Sequence, residues 1–317
     1  MRLTRILSTL FLFCFAAAGF ALAQDKSSKE KNKKSEQKAV EVKANIAVLN
    51  SAGNFADDVK LEELKVFENG IEQKLTYFVK KEPVLNLGLV IDNSGSMRKN
   101  LDKITTAAST FIDDLRATDE AFVVRFVDSD KVEILQDWTS NKKDLKEAVE
   151  NMFIEGGKSA VLDAVYLSAE KLLERERKNK SNRYALVLIS DAEERDSYYN
   201  YEQIISPFRG TDLQVFLISL AENAPLAKKK ARLLSHLLTL DTGGTVVSLP
   251  KKHSKEDIIN ALKNIAGELR SQYIVGYTST NQTRDGLPRK LTIQVADNKN
   301  GEKRTGLIRE NFIVPKD

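Results

Sequence analysis

The chain has 317 residues, of which 42% are hydrophobic and 30% charged. That is enough apolar material for a well-buried core and room for two domains, and it excludes a disordered or low-complexity protein. The net charge of +4 is small for this length, and much of the excess lies in the first forty residues. Composition therefore gives no ground for a nucleic-acid partner.

At the N-terminus Arg2 and Arg5 precede an apolar run over residues 6–20, and Ala21-Leu22-Ala23 supplies the small-x-small pattern of signal peptidase. The expectation is a signal peptide over residues 1–23, with Gln24 the first mature residue and the protein exported to the periplasm or secreted. An uncleaved anchor fits less well, because the run is short for a span and ends in a cleavage-type motif, so no transmembrane segment is expected in the mature chain. Cys14 is the single cysteine and lies inside the run behind Phe13 rather than behind a small residue. Lipoprotein processing is therefore not expected, and the mature chain would have neither a disulfide nor a thiolate metal site. Residues 24–38 are Lys, Ser, Glu and Gln without a large apolar side chain, and read as a disordered basic linker.

Residues 39–78 alternate in short segments, with Asn69-Gly70 placed as a hairpin turn between two of them. The pattern changes at residue 84. Residues 84–91 form an almost unbroken apolar run, as expected for a strand buried on both faces of a parallel sheet. Comparable runs recur at 121–127, 185–189, 213–220 and 245–249. Helical periodicity lies between them, as in Leu101, Ile104, Ala108, Phe111 and Leu115, and later in Ile258, Leu262, Ile265 and Leu269. This alternation predicts an α/β fold with a doubly wound, mostly parallel sheet flanked by helices over residues 83–272. Strand character returns at 273–277, 290–295 and 304–314, with Asp285-Gly286 and Asn300-Gly301 as turns. We expect residues 39–82 and 273–317 to form one small β domain into which the α/β domain is inserted.

Ligands of open parallel sheets bind beyond the carboxyl ends of the strands. Asp92 follows the first buried strand, and Asp92-Asn93-Ser94-Gly95-Ser96 offers an oxygen at every second residue, with Gly95 expected to lend backbone freedom. Ser159, after Gly156-Gly157-Lys158, opens an amphipathic helix, where a hydroxyl caps or ligates. Asp191 follows the buried run 185–189. Two carboxylates and three hydroxyls suit Mg²⁺ or Mn²⁺, which take oxygen ligands and keep several waters.

At these residues the sequence resembles a von Willebrand factor type A domain, whose metal-ion-dependent adhesion site has an Asp-x-Ser-x-Ser loop, a separate Thr and a separate Asp. The resemblance places Asp92, Ser94 and Ser96 in the loop, Ser159 at the Thr and Asp191 at the last Asp. It spans roughly residues 84–271, and Asp241-Thr242-Gly243-Gly244 resembles the Thr-Gly-Gly often found before the last strand of such domains. Ser159 in place of Thr keeps a hydroxyl, whereas Lys158 looks inserted and Ala192 stands where a Gly is common. The flanks, Val66-Phe67-Glu68-Asn69-Gly70, Gln272-Tyr273-Ile274-Val275-Gly276-Tyr277 and Asp285-Gly286-Leu287-Pro288-Arg289-Lys290, resemble the bacterial secreted VWFA-related proteins. The family implies a non-enzymatic adhesion module in which a protein or peptide partner completes the metal's coordination with an Asp or Glu carboxylate. Lys158, Tyr198 and Tyr199 are candidate partner contacts. The resemblance also implies that the last helix of the domain, about residues 255–270, can move with site occupancy.

Two other readings stand beside this one. The metal would be purely structural in a scaffold. A serine hydrolase would use Ser94, Asp191 and His236 in the chain order of α/β-hydrolases, but the glycine-flanked elbow is absent around Ser94. His236 lies among leucines and reads as packing or helix surface. His253 precedes Ser254, which reads as a helix cap with Asp257 three residues on.

Overall fold

The computed structural model describes residues 39–317 apart from 81, 180, 209, 221–233, 235, 237, 240, 315 and 317. The signal peptide and linker expected over residues 1–38 lie outside the described residues.

The apolar runs become the parallel strands of a six-stranded sheet: β5 (Leu85–Asp92), β6 (Glu120–Phe126), β8 (Arg183–Ser190), β9 (Gln214–Ser219) and β10 (Val246–Ser248). Their order is β10-β9-β8-β5-β6-β7, with β7 (Val132–Thr139) closing one edge antiparallel to β6. Strands β5 and β8 are buried at every residue, which is why their sequences show no alternation. Leu85, Leu87, Leu89 and Ile91 pack on one side of the sheet with α1 (Leu101–Asp114), α2 (Lys142–Glu150) and α5 (Lys255–Ser271). Val90, Phe122, Val124 and Leu188 pack on the other with α3 (Val161–Lys178) and the short α4 (Tyr201–Ile205). This is the doubly wound α/β arrangement that the periodicity predicts. The strand β7 and the helix α2 were not expected.

The remaining strands form two four-stranded antiparallel sheets, and each joins both ends of the described chain. One runs β13-β1-β11-β4, from β1 (Glu41–Asn50), β4 (Leu75–Lys80), β11 (Tyr273–Thr278) and β13 (Arg304–Ile308). The other runs β14-β12-β2-β3, from β2 (Leu64–Glu68), β3 (Ile71–Gln73), β12 (Pro288–Val295) and β14 (Asn311–Ile313). Asn69 and Gly70, at φ of 49° and 81°, make the predicted two-residue turn between β2 and β3. Val42, Ala44, Ile46, Val66, Tyr273, Val275 and Leu291 share the core of this part.

The flanking motifs meet inside that core. Arg289 and Glu68 form an ion pair at 2.8 Å with both side chains 2% exposed. The Tyr277 hydroxyl donates to Glu68 at 3.0 Å and the Ser279 hydroxyl at 2.8 Å. Burial, and then the neighbouring Glu68, push the Tyr277 hydroxyl well above the usual phenol range, so it serves as a donor at any ordinary pH.

Candidate metal centre

Strand order reverses at β5. From β5 the chain steps outward to β6 and β7, then crosses back to β8 on the other side, leaving a crevice beyond the carboxyl ends of β5 and β8. Asp92 ends β5, and Asp191 follows Ser190 at the end of β8.

Asp92 is fully buried. The Ser94 amide donates to its Oδ1 at 2.9 Å, which folds the 92–96 loop back on itself. Its Oδ2 accepts from the hydroxyls of Ser159 at 3.1 Å and Ser190 at 2.6 Å. Ser94 and Ser96 bring their hydroxyls within 3.2 Å of each other. Asp191, also buried, accepts the Glu193 amide at 3.1 Å. Burial pushes the Asp191 carboxyl upward, opposed by the Ser96 hydroxyl and by Arg195. Burial likewise raises Asp92, opposed by its bonds to Ser190 and Ser94, and the Asp191 charge adds to the rise. The five expected oxygen-bearing residues thus lie at one mouth, drawn from three separated stretches.

Hydrogen bonds to main-chain carbonyls hold the 92–96 loop in place and tie Ser159 to the stretch after Asp191. Asn93 donates its amide to the Phe126 carbonyl at 2.8 Å and its Nδ2 to the Phe153 carbonyl at 3.0 Å, while the Arg195 amide donates to the Ser159 carbonyl at 3.0 Å. Gly156 and Gly157 take φ of 90° and 104°, and a Cβ on Gly157 would stand 2.7 Å from Val127 Cγ1, so only glycine lets this loop pass so close to the end of β6. Gly95 differs from expectation. It needs no left-handed backbone, and an added Cβ would meet Gly156 Cα at an ordinary 3.9 Å.

Ser159 does not cap α3, as one sequence reading allowed. The cap position is Ala160, without a side-chain bond, and the Ser159 hydroxyl turns to Asp92 instead. The first amides of α3 find partners in the loop after β8: Leu162 N donates to Glu194 Oε2 at 2.9 Å and Asp163 N to Ser197 Oγ at 3.2 Å. In return, the Asp163 carboxylate accepts the amides of Tyr198 and Tyr199, each at 2.9 Å. Each side thus satisfies the other's orphan donors.

The candidate partner contacts separate. Tyr198 is 82% exposed. Tyr199 stacks on Tyr166 of α3, with ring centroids 4.0 Å apart. Lys158 is exposed and lies 4.0 Å from Asp196, turned to the rim. Sequence reading missed Ser190, whose signal was its place beside Asp191 at a strand end, and the pinning pair Asp163 and Glu194, which only the fold brings together. Among the described residues no hydrogen bond joins His236 to Ser94, Ser96 or Asp191. Its carbonyl accepts from Thr239, and His253 Nδ1 lies 3.1 Å from the Pro250 carbonyl.

Among the described residues no group of three or more His, Cys, Asp or Glu side chains comes together in the way a metal would need. The mouth has two carboxylates, and hydroxyls make up the rest of its oxygen set.

Solved structures similar to this chain include an aerotolerance-related membrane protein from Bacteroides fragilis, 16% identical over 58% of this chain and 98% of that one, with a TM-score of 0.44. A von Willebrand factor type A protein from Catenulispora acidiphila is 12% identical over 86% of this chain and 73% of that one, with a TM-score of 0.47. Proximal thread matrix protein 1 of the mussel byssus, described with a zinc-occupied MIDAS motif, is 14% identical over 62% of this chain and 48% of that one, with a TM-score of 0.46. No curated protein sequence matches the chain. The von Willebrand factor type A family model matches residues 87–193, a stretch that holds all five residues of the mouth.

Proposed function

We propose that this is a non-enzymatic, metal-dependent protein-binding module of an exported protein. In this reading residues 83–272, carried on a β unit of residues 39–82 and 273–317, hold Mg²⁺ or Mn²⁺ through Asp92, Ser94, Ser96, Ser159 and Asp191. The observation that carries it is Asp92, a carboxylate with no exposed surface set beside a second buried carboxylate, both held above their usual range by burial. Like charges kept close and out of water call for a cation.

The donor set fits a hard dication. All its atoms are oxygens, and the hydroxyls rotate freely to present lone pairs. Ser190 donates to Asp92 Oδ2 from behind the strand end and fixes the carboxylate's orientation, as an outer partner does for a ligand. A bound dication supplies a Lewis-acidic position open to an external carboxylate. Two protein carboxylates bring a dication to formal neutrality, so an Asp or Glu of a protein or peptide partner enters without strong repulsion. Tyr198 and Lys158, both exposed, would meet that partner.

Calorimetry tests the metal step. Wild type should bind Mg²⁺, and Asp92→Ala and Asp191→Ala should lose it while keeping their circular dichroism; unchanged affinity in both variants overturns the proposal. Capture of envelope proteins with Mg²⁺ and with EDTA tests the partner step. Partners retained equally in EDTA and by Asp92→Ala would reduce the metal to a structural role.

A further inference from the structure

A second cavity lies at the opposite pole, where the amino ends of β8 and β9 meet the antiparallel sheet of β1, β4 and β11. It encloses about 430 Å³, and Arg183, Arg309, Lys43, Tyr77 and Phe312 are among its walls. Two guanidiniums there are buried, Arg183 at 6% and Arg309 at 8% exposure.

Neither is spent on a carboxylate in the bonds it makes. Arg183 Nη1 donates to the Asn45 side-chain oxygen, and Arg309 donates from Nη1 to the Thr211 carbonyl and from Nη2 to the Asp241 carbonyl, both at 2.9 Å. Among the described residues the Nε of each is buried with no partner. Burial lowers both guanidinium pKa values, the mark of positive charge held out of water, opposed by Asp212 for both and by Asp241 as well for Arg309. The acids of the cavity wall stand differently. Glu41 and Asp212 are exposed and Glu176 half-buried, so solvent screens them, whereas the arginines act through a poorly screened interior. Lys43 adds a cation at the exposed rim, its Nζ 5.1 Å from the centre of the Tyr77 ring. The formal charges of the lining balance, three cations against three acids, but only the two guanidiniums are held out of water, and with the aromatic walls they describe one class of ligand.

We infer that this cavity binds a small organic oxyanion, a carboxylate or phosphate ester, with its charged end at Arg183 and Arg309 and its apolar body against Tyr77 and Phe312. A guanidinium presents a planar fork of donors matched to such groups. The volume is that of a small-molecule site. The site is independent of the metal mouth.

The test is calorimetry on the Asp92→Ala protein in EDTA, so that the metal mouth takes no part, with phenyl phosphate, benzoate and phenol as probes. Saturable binding of phenyl phosphate or of benzoate, with phenol inert, supports the inference, and whichever anion binds names the ligand class. Arg183→Gln should weaken that binding about tenfold or more, the worth of a hydrogen bond to charge. Lys43→Glu, at an exposed position where folding is not at stake, should weaken it severalfold. Absence of saturable binding by both anions, equal binding of phenol, or anion binding unchanged in Lys43→Glu overturns the inference. The Mg²⁺ titration of wild type stands or falls separately.

Discussion

Ala192 holds a backbone φ of 57° while 1% exposed, directly after Asp191 of the candidate site. The left-handed region costs an L-residue with a Cβ roughly 1–2 kcal/mol, and such strain persists where neighbours over-determine it. Here the Ala192 amide is tied to the Ser190 hydroxyl at 2.9 Å, the same hydroxyl that donates to Asp92. The turn that strains Ala192 therefore also aims Asp92. Ala192→Gly would relieve the strain, but it gives up a buried methyl worth about 0.8 kcal/mol and frees the unfolded chain by about 0.4–1 kcal/mol. These terms nearly cancel. The expected result is a change in unfolding free energy within about 1 kcal/mol of zero, while Ala192→Val, β-branched at positive φ, should cost at least about 2 kcal/mol. Urea denaturation of the three proteins decides the point, and a valine variant as stable as the glycine one would show that the backbone there is not strained. The glycine common at this position in the resembling family foreshadowed the conformation; that Ser190 holds it in place was not readable from the sequence.

Among the elements, those buried on both faces were legible and those at edges were not. Strands β5 and β8 announce themselves as apolar runs because every position is buried, and their ends locate Asp92 and Asp191. Strand β7 has no fully buried residue and pairs with β6 through register shifts, so Val132–Thr139 shows neither an apolar run nor clean alternation. Helix α2 has nine residues with only Leu145 and Val149 buried, too few to make a period stand out. The partners of the first α3 amides could not be read from sequence, because Glu194 and Ser197 lie more than thirty residues away. The flanking motifs were legible as a resemblance but not as a contact, since nothing in their spacing says that Glu68, Tyr277 and Arg289 meet. Their meeting ties β2, β11 and β12 into one core. Replacing Arg289 by Met leaves Glu68 buried without its partner and should cost about 3–5 kcal/mol, whereas Glu68→Leu together with Arg289→Met should recover most of that loss. Denaturation midpoints of the single and double variants measure it. If the double variant is as unstable as the single one, the network contributes more through Tyr277 and Ser279 than through the ion pair.

At the scale of the molecule, three carboxylic acids among the described residues have a raised pKa, and they fall into two groups, one at the metal mouth and one away from it. Asp92 and Asp191 sit at the mouth, where a cation favours their charged forms. Glu268 lies on the core side of α5, 5% exposed, with a long 3.4 Å bond from the Thr245 hydroxyl as its only one among the described residues, and burial pushes its pKa up to about 7. Below the unfolded value of about 4.5 the carboxyl is protonated in both states and the folded protein keeps its full stability. As pH rises toward 7 the unfolded chain gives up its proton while the folded one retains it, so stability falls, and above 7 the loss levels off. The shift from 4.5 to about 7 corresponds to roughly 3 kcal/mol. Glu268→Gln removes the titration and keeps the shape. In EDTA the variant should match wild type at pH 4.5 and exceed it by up to about 3 kcal/mol at pH 8. Equal differences at the two pH values would mean that Glu268 is solvated or paired in the folded state. Mg²⁺ should stabilise both proteins alike at pH 8, in proportion to its occupancy, because the mouth and Glu268 are separate sites. A metal effect that vanished in Glu268→Gln would instead couple the last helix to the mouth, as the family resemblance led us to expect of that helix.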